Sequence, residues 1–283
     1  MQASRSRVFL LGCVMVLILV VVAVFGPFIA PHSISTQNLR NRMGPPSSEH
    51  PLGTDLFGRD VLSRIILGSR VSLSVGLAGI ALGGLIGSVI GLAAGYGEEK
   101  WFDVVALRIV DILMSFPTLI LGILVVAVLG PGLEKTIVAI GIAFTARYIR
   151  LVRGEVLSVK QRAYIEAARA LGASYWRILL KHILPNVSTP LIVMSTLWLA
   201  SSVLIESSLS FLGLGVQPPT PSWGVMIKEG SRYLTINPML VVFPGIAIAF
   251  TVYAFIMAGD GLQDLLDPRM RGVLRRRKKR SKG

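Results

Sequence analysis

The chain has 283 residues, of which 53% are hydrophobic and only 16% charged. Soluble domains carry about 25% charged residues, and the mean hydropathy here is +0.68. Those values exclude a soluble globule of this length and also a disordered chain, which needs low hydrophobicity. What remains is an all-α integral membrane protein with room for about six spans of roughly 20 apolar residues. Cys13 is the single cysteine, so no disulfide forms within the chain. The net charge of +14 falls to +6 without the eight basic residues of 271–283, RGVLRRRKKRSKG. The charge describes a tail and loops, so no nucleic-acid partner is expected.

The first apolar run is 8–30, preceded by Arg5 and Arg7. It is longer than the ~7–15 residues of a signal-peptide core and is expected to stay as a span. Further runs follow at 71–95, 104–130 with Pro117 inside, 133–149, 187–212 and 238–258. Six spans place both termini on one side. With the N-terminus inside, inner segments hold 21 Lys and Arg and outer segments hold 8; without the basic tail the ratio is 13 to 8. The positive-inside rule then predicts cytoplasmic termini. Three units are expected: 1–70, the first span and an outer loop; 71–264, the transmembrane core; and 265–283, a basic cytoplasmic tail.

In the second span Gly79, Gly83, Gly87, Gly91 and Gly95 recur at every fourth position. Small residues at that spacing let helix backbones approach closely in a membrane. Static packing accounts for the stripe, and a sliding contact is the alternative. Ionisable residues inside spans default to functional hypotheses. Glu206, in VLIESSLSF, lies among Ser201, Ser202, Ser207, Ser208 and Ser210. It is expected either to line a polar path or to make an inter-helix polar contact. Arg108 and Asp111 are read as an i,i+3 pair, and Arg147, Arg150 and Arg153 as anchors at the inner interface.

Motifs for chemistry are absent. There is no GxxxxGK[ST], so no P-loop for ATP, and no GxSxG or HExxH. His32, His50 and His182 are scattered across loops, so no metal site is expected. The chain is therefore expected to have no catalytic residue, no metal and no cofactor of its own.

The informative inner segment is YIEAARALGASYWRILLKHILPN, residues 164–186. Its first part has good helix formers, Gly172 permits an unusual backbone angle, and Pro185 is expected to end a second amphipathic stretch. The product is a short helix–turn–helix whose small face at Ala167, Ala168 and Ala170 can enter a partner's groove. A plain interfacial helix is the simpler reading.

This segment resembles the EAA loop of bacterial ABC importer permeases: EAA, three residues, Gly, nine residues, Ile, one residue, Leu-Pro. Glu166, Ala167, Ala168, Gly172, Leu184 and Pro185 fall at those spacings, and His182 stands at the Ile position. HPLGTDLFGRDVLSRIILGSRVSL (50–73), SLSFLGLGVQPPTPSWG (208–224) and DGLQDLLDPRMRG (260–272) resemble segments of C-type permeases of dipeptide, oligopeptide and nickel importers. The resemblance covers almost the whole chain except the basic tail. It implies a type I importer permease fold in a bacterial inner membrane. It also implies a second, B-type permease, two cytoplasmic ATPase subunits that bind the ATP, and an extracytoplasmic binding protein. Glu166, Ala167, Ala168, Gly172, Leu184 and Pro185 would then couple to an ATPase. The outer loops 31–70 and 213–237 would meet the binding protein or the partner permease. Peptide is the cargo expected first, with nickel, glutathione or oligosaccharide as alternatives. A secondary transporter working without an ATPase is the rival from another class, and it would be expected to show internal repeats or a charged relay.

Overall fold

The computed structural model describes residues 2–97 and 100–266, with the side chains of 2–7 and 100 left aside. The basic tail, most of the unit expected at 265–283, lies outside the described residues, as do the side chains of Arg5, Arg7 and Lys100. Among the described residues ten α-helices follow in chain order. They are α1 (Gln2–Ile29), α2 (Val61–Tyr96), α3 (Lys100–Met114), α4 (Thr118–Leu129), α5 (Leu133–Lys160), α6 (Ala163–Ala170), α7 (Tyr175–Ile178), α8 (Leu184–Leu212), α9 (Trp223–Ser231) and α10 (Met239–Leu266). Among the described residues the only β pairing is an isolated bridge between Thr54 and Asp60.

The expected spans appear with three corrections. First, the run at 104–130 is broken: α3 and α4 meet at 95°. Pro117 sits at the N-cap of α4 with φ −54° and ψ 135°, and a proline disfavours the helical conformation of the residue before it. Second, length and composition do not by themselves confirm six spans: among the described residues four helices qualify, or five when α3 and α4 count as one broken span. The helix that falls short is α5, which carries Glu134 and Lys135 at one end and Arg147, Arg150, Arg153 and Glu155 at the other. Its 28 residues still measure about 42 Å. Third, Pro185 does not end the second helix of the 164–186 segment. A π-helical segment, Leu179–Ile183, joins α7 to α8, and the Leu184 amide donates to the Leu179 carbonyl. This widened turn leads into α8, where proline occupies the first turn and its missing donor is not needed.

The core is built on α2 and α5. The glycine stripe of α2 is buried and lies directly on α5. A Cβ added to Gly87 would stand 2.5 Å from Tyr148 Cβ and 2.6 Å from the Thr145 carbonyl oxygen. At Gly83 it would meet the Gly141 carbonyl oxygen at 2.6 Å, and at Gly95 the Val156 Cβ at 2.9 Å. The stripe therefore serves backbone-to-backbone packing. Ile140, Phe144 and Tyr148 of α5 are fully buried there with Val75, Val126 and Leu209. On the other side, α1 packs against α10, where Gly12 faces Met257 and Ala258 and Gly261 faces Phe9. The outward side of α1 leaves Leu10, Leu17 and Val24 about half exposed, as a lipid-facing helix would.

The arginines of α5 clamp the broken span. Arg150 reaches Asp111 at 2.7 Å and Arg153 makes a two-pronged contact with Asp103. Arg147 donates to Thr118, the first residue of α4. The expected pairing of Asp111 with Arg108 is thus replaced by one between helices, because the packing of α5 on α3 places Arg150 against the same carboxylate.

Candidate functional site

The element between α5 and α8 has an anchored side and a bare side. Ile165, Ile178 and Ile183 are buried against Tyr96, Val152, Val156, Val159 and Val187, so the element rests on α2, α5 and α8. Tyr96 adds a hydrogen bond from its hydroxyl to the Tyr175 carbonyl at 3.1 Å and a ring contact at 4.2 Å. Between α6 and α7 the chain turns at Gly172, whose φ is +78°. The Gly172 and Ala173 amides close the end of α6 on the Arg169 and Ala168 carbonyls, at 2.9 and 3.0 Å. Ser174 then caps α7. On the bare side Glu166, Ala167 and Ala170 are exposed, as are Leu184 and Pro185 further on, while Ala168 is half-buried. Three apolar residues that sequence reasoning had not singled out share this exposure: Leu171 (88%), Trp176 (66%) and Leu180 (59%). Their signal was apolar character in a segment otherwise rich in Arg, Lys and Glu. Small residues beside large exposed apolar ones form a surface suited to a protein partner. A cavity of 660 Å³ lies beside the element, lined by Tyr96, Asp103, Lys160, Arg169, Tyr175 and Ile178.

Glu206 lies in α8 and is fully buried. Its carboxylate accepts hydrogen bonds from Ser210 at 2.8 Å and Ser207 at 3.3 Å. Ser72 of α2 and Ser222, just before α9, face the same carboxyl. Of the serines singled out in sequence, Ser202 and Ser208 instead donate to carbonyls of their own helix. Ser72 and Ser222 are too distant in sequence to have been identified. The Ser210 hydroxyl also accepts from the Val216 amide and Ser72 from the Trp223 amide, at 3.1 and 3.3 Å. Glu206 thus lies at the junction of α2, α8 and α9.

The segments 50–73 and 208–224 fold onto one another. Trp223 of the PSWG segment is buried, and its indole donates to the Ile65 carbonyl at 3.1 Å. Asp60 caps α2 by accepting from the Ser63 amide at 2.7 Å. Arg59 and Arg64 are both buried and share carboxylates. Asp55 receives Arg59 at 2.6 Å and faces Arg64 at 3.5 Å, and Glu229 of α9 receives both, at 2.8 and 2.9 Å. Beside this cluster a 270 Å³ cavity is lined by Phe57, Ser210, Gln217, Lys228, Glu229 and Arg232. The expectation that the histidines are dispersed needs correcting for two of them, since the rings of His32 and His50 lie 4.6 Å apart.

Residues 87–272 match the family described as binding-protein-dependent transport system inner membrane component. The chain belongs to this family. Residues 2–46 match the N-terminal TM domain of oligopeptide transport permease C. The glutathione transport system permease protein GsiD of Pectobacterium atrosepticum is 41% identical over 268 residues, 94% of this chain and 89% of that protein. The dipeptide transport system permease protein DppC of Alkalihalophilus pseudofirmus is 40% identical over 270 residues, 95% of this chain and 88% of its own. GsiD of Escherichia coli O1:K1 / APEC is 43% identical over 272 residues, 95% and 88% of the two chains. In fold, the chain resembles a chain of the MetNI methionine ABC transporter in inward-facing conformations. The TM-score is 0.59 at 22% identity, covering 72% of this chain and 97% of that one. The fold is that of a type I importer permease, and the chain is a membrane-embedded subunit of an ABC importer.

Proposed function

We propose that this chain is the C-type permease of a bacterial importer for short peptides. It pairs with a B-type permease and is driven by two cytoplasmic ATPase subunits that hold the ATP. Cargo comes from an extracytoplasmic binding protein. The observation that carries the reading is the cytoplasmic element, rigidly seated through Ile165, Ile178 and Ile183 while Ala167, Leu171 and Trp176 face outward. An element held that way transmits displacement in both directions. ATPase closure shifts its groove, the groove carries α6 with it, and the seat passes the motion to α2, α5 and α8. Glu166, Ala167, Ala168 and Gly172 form the docking surface, and Leu184 and Pro185 begin the helix that carries the motion inward. Glu206 is read as an inter-element polar contact, since serines of α8 donate to it.

Six membrane crossings with both termini in the cytoplasm suit this role, with α3 and α4 as one broken span and α5 as a span shielded by α2. The relatives named for dipeptide and for glutathione support a peptide cargo, because the two cargoes share free carboxylates and peptide amides. The test is reconstitution. Complexes assembled with the candidate B-type permease and ATPases should hydrolyse ATP faster when the loaded binding protein is added. Absence of both ATPases from the purified assembly would overturn the importer reading.

A further inference from the structure

We propose that the outer loop holds a divalent metal ion, of the zinc class, between His32, His50 and Glu49. His32 follows α1 by three residues and His50 lies in the loop that leads into α2, so the ion would tie the exit of the first helix to the start of the second. One ligand atom from each of the three residues lies within 4.8 Å of the other two. Two imidazoles and a carboxylate are the donor set of three-ligand zinc sites, with a fourth position left for water. A tetrahedral site needs ligand atoms roughly 3.3 Å apart, a closure within reach of rotation of the exposed Glu49 side chain.

Two features of the surroundings point to an ion rather than to a plain histidine pair. The first is the orientation of His50. Its Nδ1 lies 3.0 Å from Asp60 Oδ1, and a carboxylate only accepts, so Nδ1 carries the proton. The other nitrogen, Nε2, is then left with a lone pair. A carboxylate behind a histidine is the usual second partner of a metal-bound imidazole, and it raises the basicity of the ring. Asp60 is itself held by the Ser63 amide at 2.7 Å. The second is His32. Its backbone is fixed by a hydrogen bond to Ser63 Oγ at 2.9 Å, while its Nδ1 is buried without a hydrogen-bond partner, 3.9 Å from Asp60 Oδ2. The two rings lie 4.6 Å apart, close enough for one ion to be shared between them. Glu49 and His50 fall in the stretch between the two matched family segments.

The probe is zinc chloride, applied to the full chain purified with its transporter partners and carrying no polyhistidine tag. After chelator treatment, the wild type is expected to take up about one zinc per copy of this chain at micromolar concentration, measured by calorimetry and elemental analysis. Cobalt in its place should give the visible absorption of a four-coordinate site. His32→Gln and Glu49→Gln should each weaken binding by at least about 10-fold, the scale on which even outer partners of a metal site act. His182→Gln, on the opposite face, should leave it unchanged. Because a variant can fail to assemble, the wild type alone also decides: bound zinc should protect His32 from diethyl pyrocarbonate. No zinc uptake, uptake that survives His32→Gln, uptake lost in His182→Gln, or modification of His32 indifferent to zinc would each overturn the proposal.

Discussion

Arg64, at the N-terminal end of α2, is 1% exposed in its side chain and donates to Glu229 of α9 at 2.9 Å, across 165 positions of sequence. Arg59 converges on the same carboxylate oxygen. Removing one partner of a buried pair leaves an uncompensated charge and costs about 3–5 kcal/mol. Glu229→Ala is expected at the lower end, about 3 kcal/mol, because Asp55 still faces both guanidinium groups. A thermal ramp of the purified complex should show a Tm several degrees lower. Glu134→Ala, at a carboxylate that is 85% exposed, should leave the Tm where it was. Equal Tm values for both variants would show that the outer cluster is not a stability element.

Gly87→Leu should disrupt assembly of the permease. Its Cβ would meet Tyr148 Cβ and the Thr145 carbonyl at 2.5 and 2.6 Å, and neither is a flexible tip that can swing aside. Overpacking costs about 1–3 kcal/mol in other cores, and here it pushes apart the two helices on which the core is built. Yield in the membrane and monodispersity in detergent measure the effect. Gly154→Leu is the control, because a Cβ there meets nothing within 4 Å.

The turn at Gly172, proposed to couple to an ATPase, separates backbone strain from crowding. A Cβ at Gly172 also meets nothing within 4 Å, yet φ is +78°. Gly172→Val should therefore be harmful through its backbone angle alone. Gly172→Asn should be milder, since asparagine visits the left-handed region several-fold more readily than most residues. Both variants should reach the membrane. Pull-down of the ATPases and binding-protein-stimulated hydrolysis should fall in the order wild type, Asn, Val. Equal activity of all three would mean that the turn does not set the docking angle.

Ala168→Leu and Trp176→Ala test the docking surface from opposite directions. Leucine favours helix nearly as well as alanine, so α6 should persist while its small face is filled. Trp176 is 66% exposed, so its loss should cost little stability but should weaken ATPase attachment. Retention of the full complex by both variants in detergent would sink the assignment of this surface.

Glu206→Gln should keep transport, because glutamine still accepts from Ser210 and its amide can donate to the neighbouring serines. Glu206→Ala leaves buried hydroxyls short of an acceptor and should cost about 1–3 kcal/mol. If Glu206→Gln instead alters uptake of charged against neutral peptides without loss of protein, the carboxylate faces the cargo path.

Sequence by itself determined the membrane class, the position of most spans and the short helix–turn–helix between α5 and α8. These are legible because each is carried by short-range pattern: apolar runs of fixed length, glycines at every fourth position, and fixed spacings between Glu166, Gly172 and Pro185. Tertiary structure decided which distant side chains meet. Glu229 with Arg59 and Arg64, Asp111 with Arg150 rather than Arg108, Glu206 with Ser72 and Ser222, and His32 with His50 are choices made by how helices and loops pack. Local rules also failed where the surroundings offered a partner. Pro185 was expected to stop a helix, but the π turn before it runs straight into α8, with the proline in the first turn of that helix. The charges of α5 argue against a span by composition, yet its apolar ridge at Ile140, Phe144 and Tyr148 lies fully buried on α2, and its arginines are met by Asp103, Asp111 and Thr118. A hydropathy average registers the charges of a helix but not the neighbours that compensate them. Those neighbours exist only once the chain has folded.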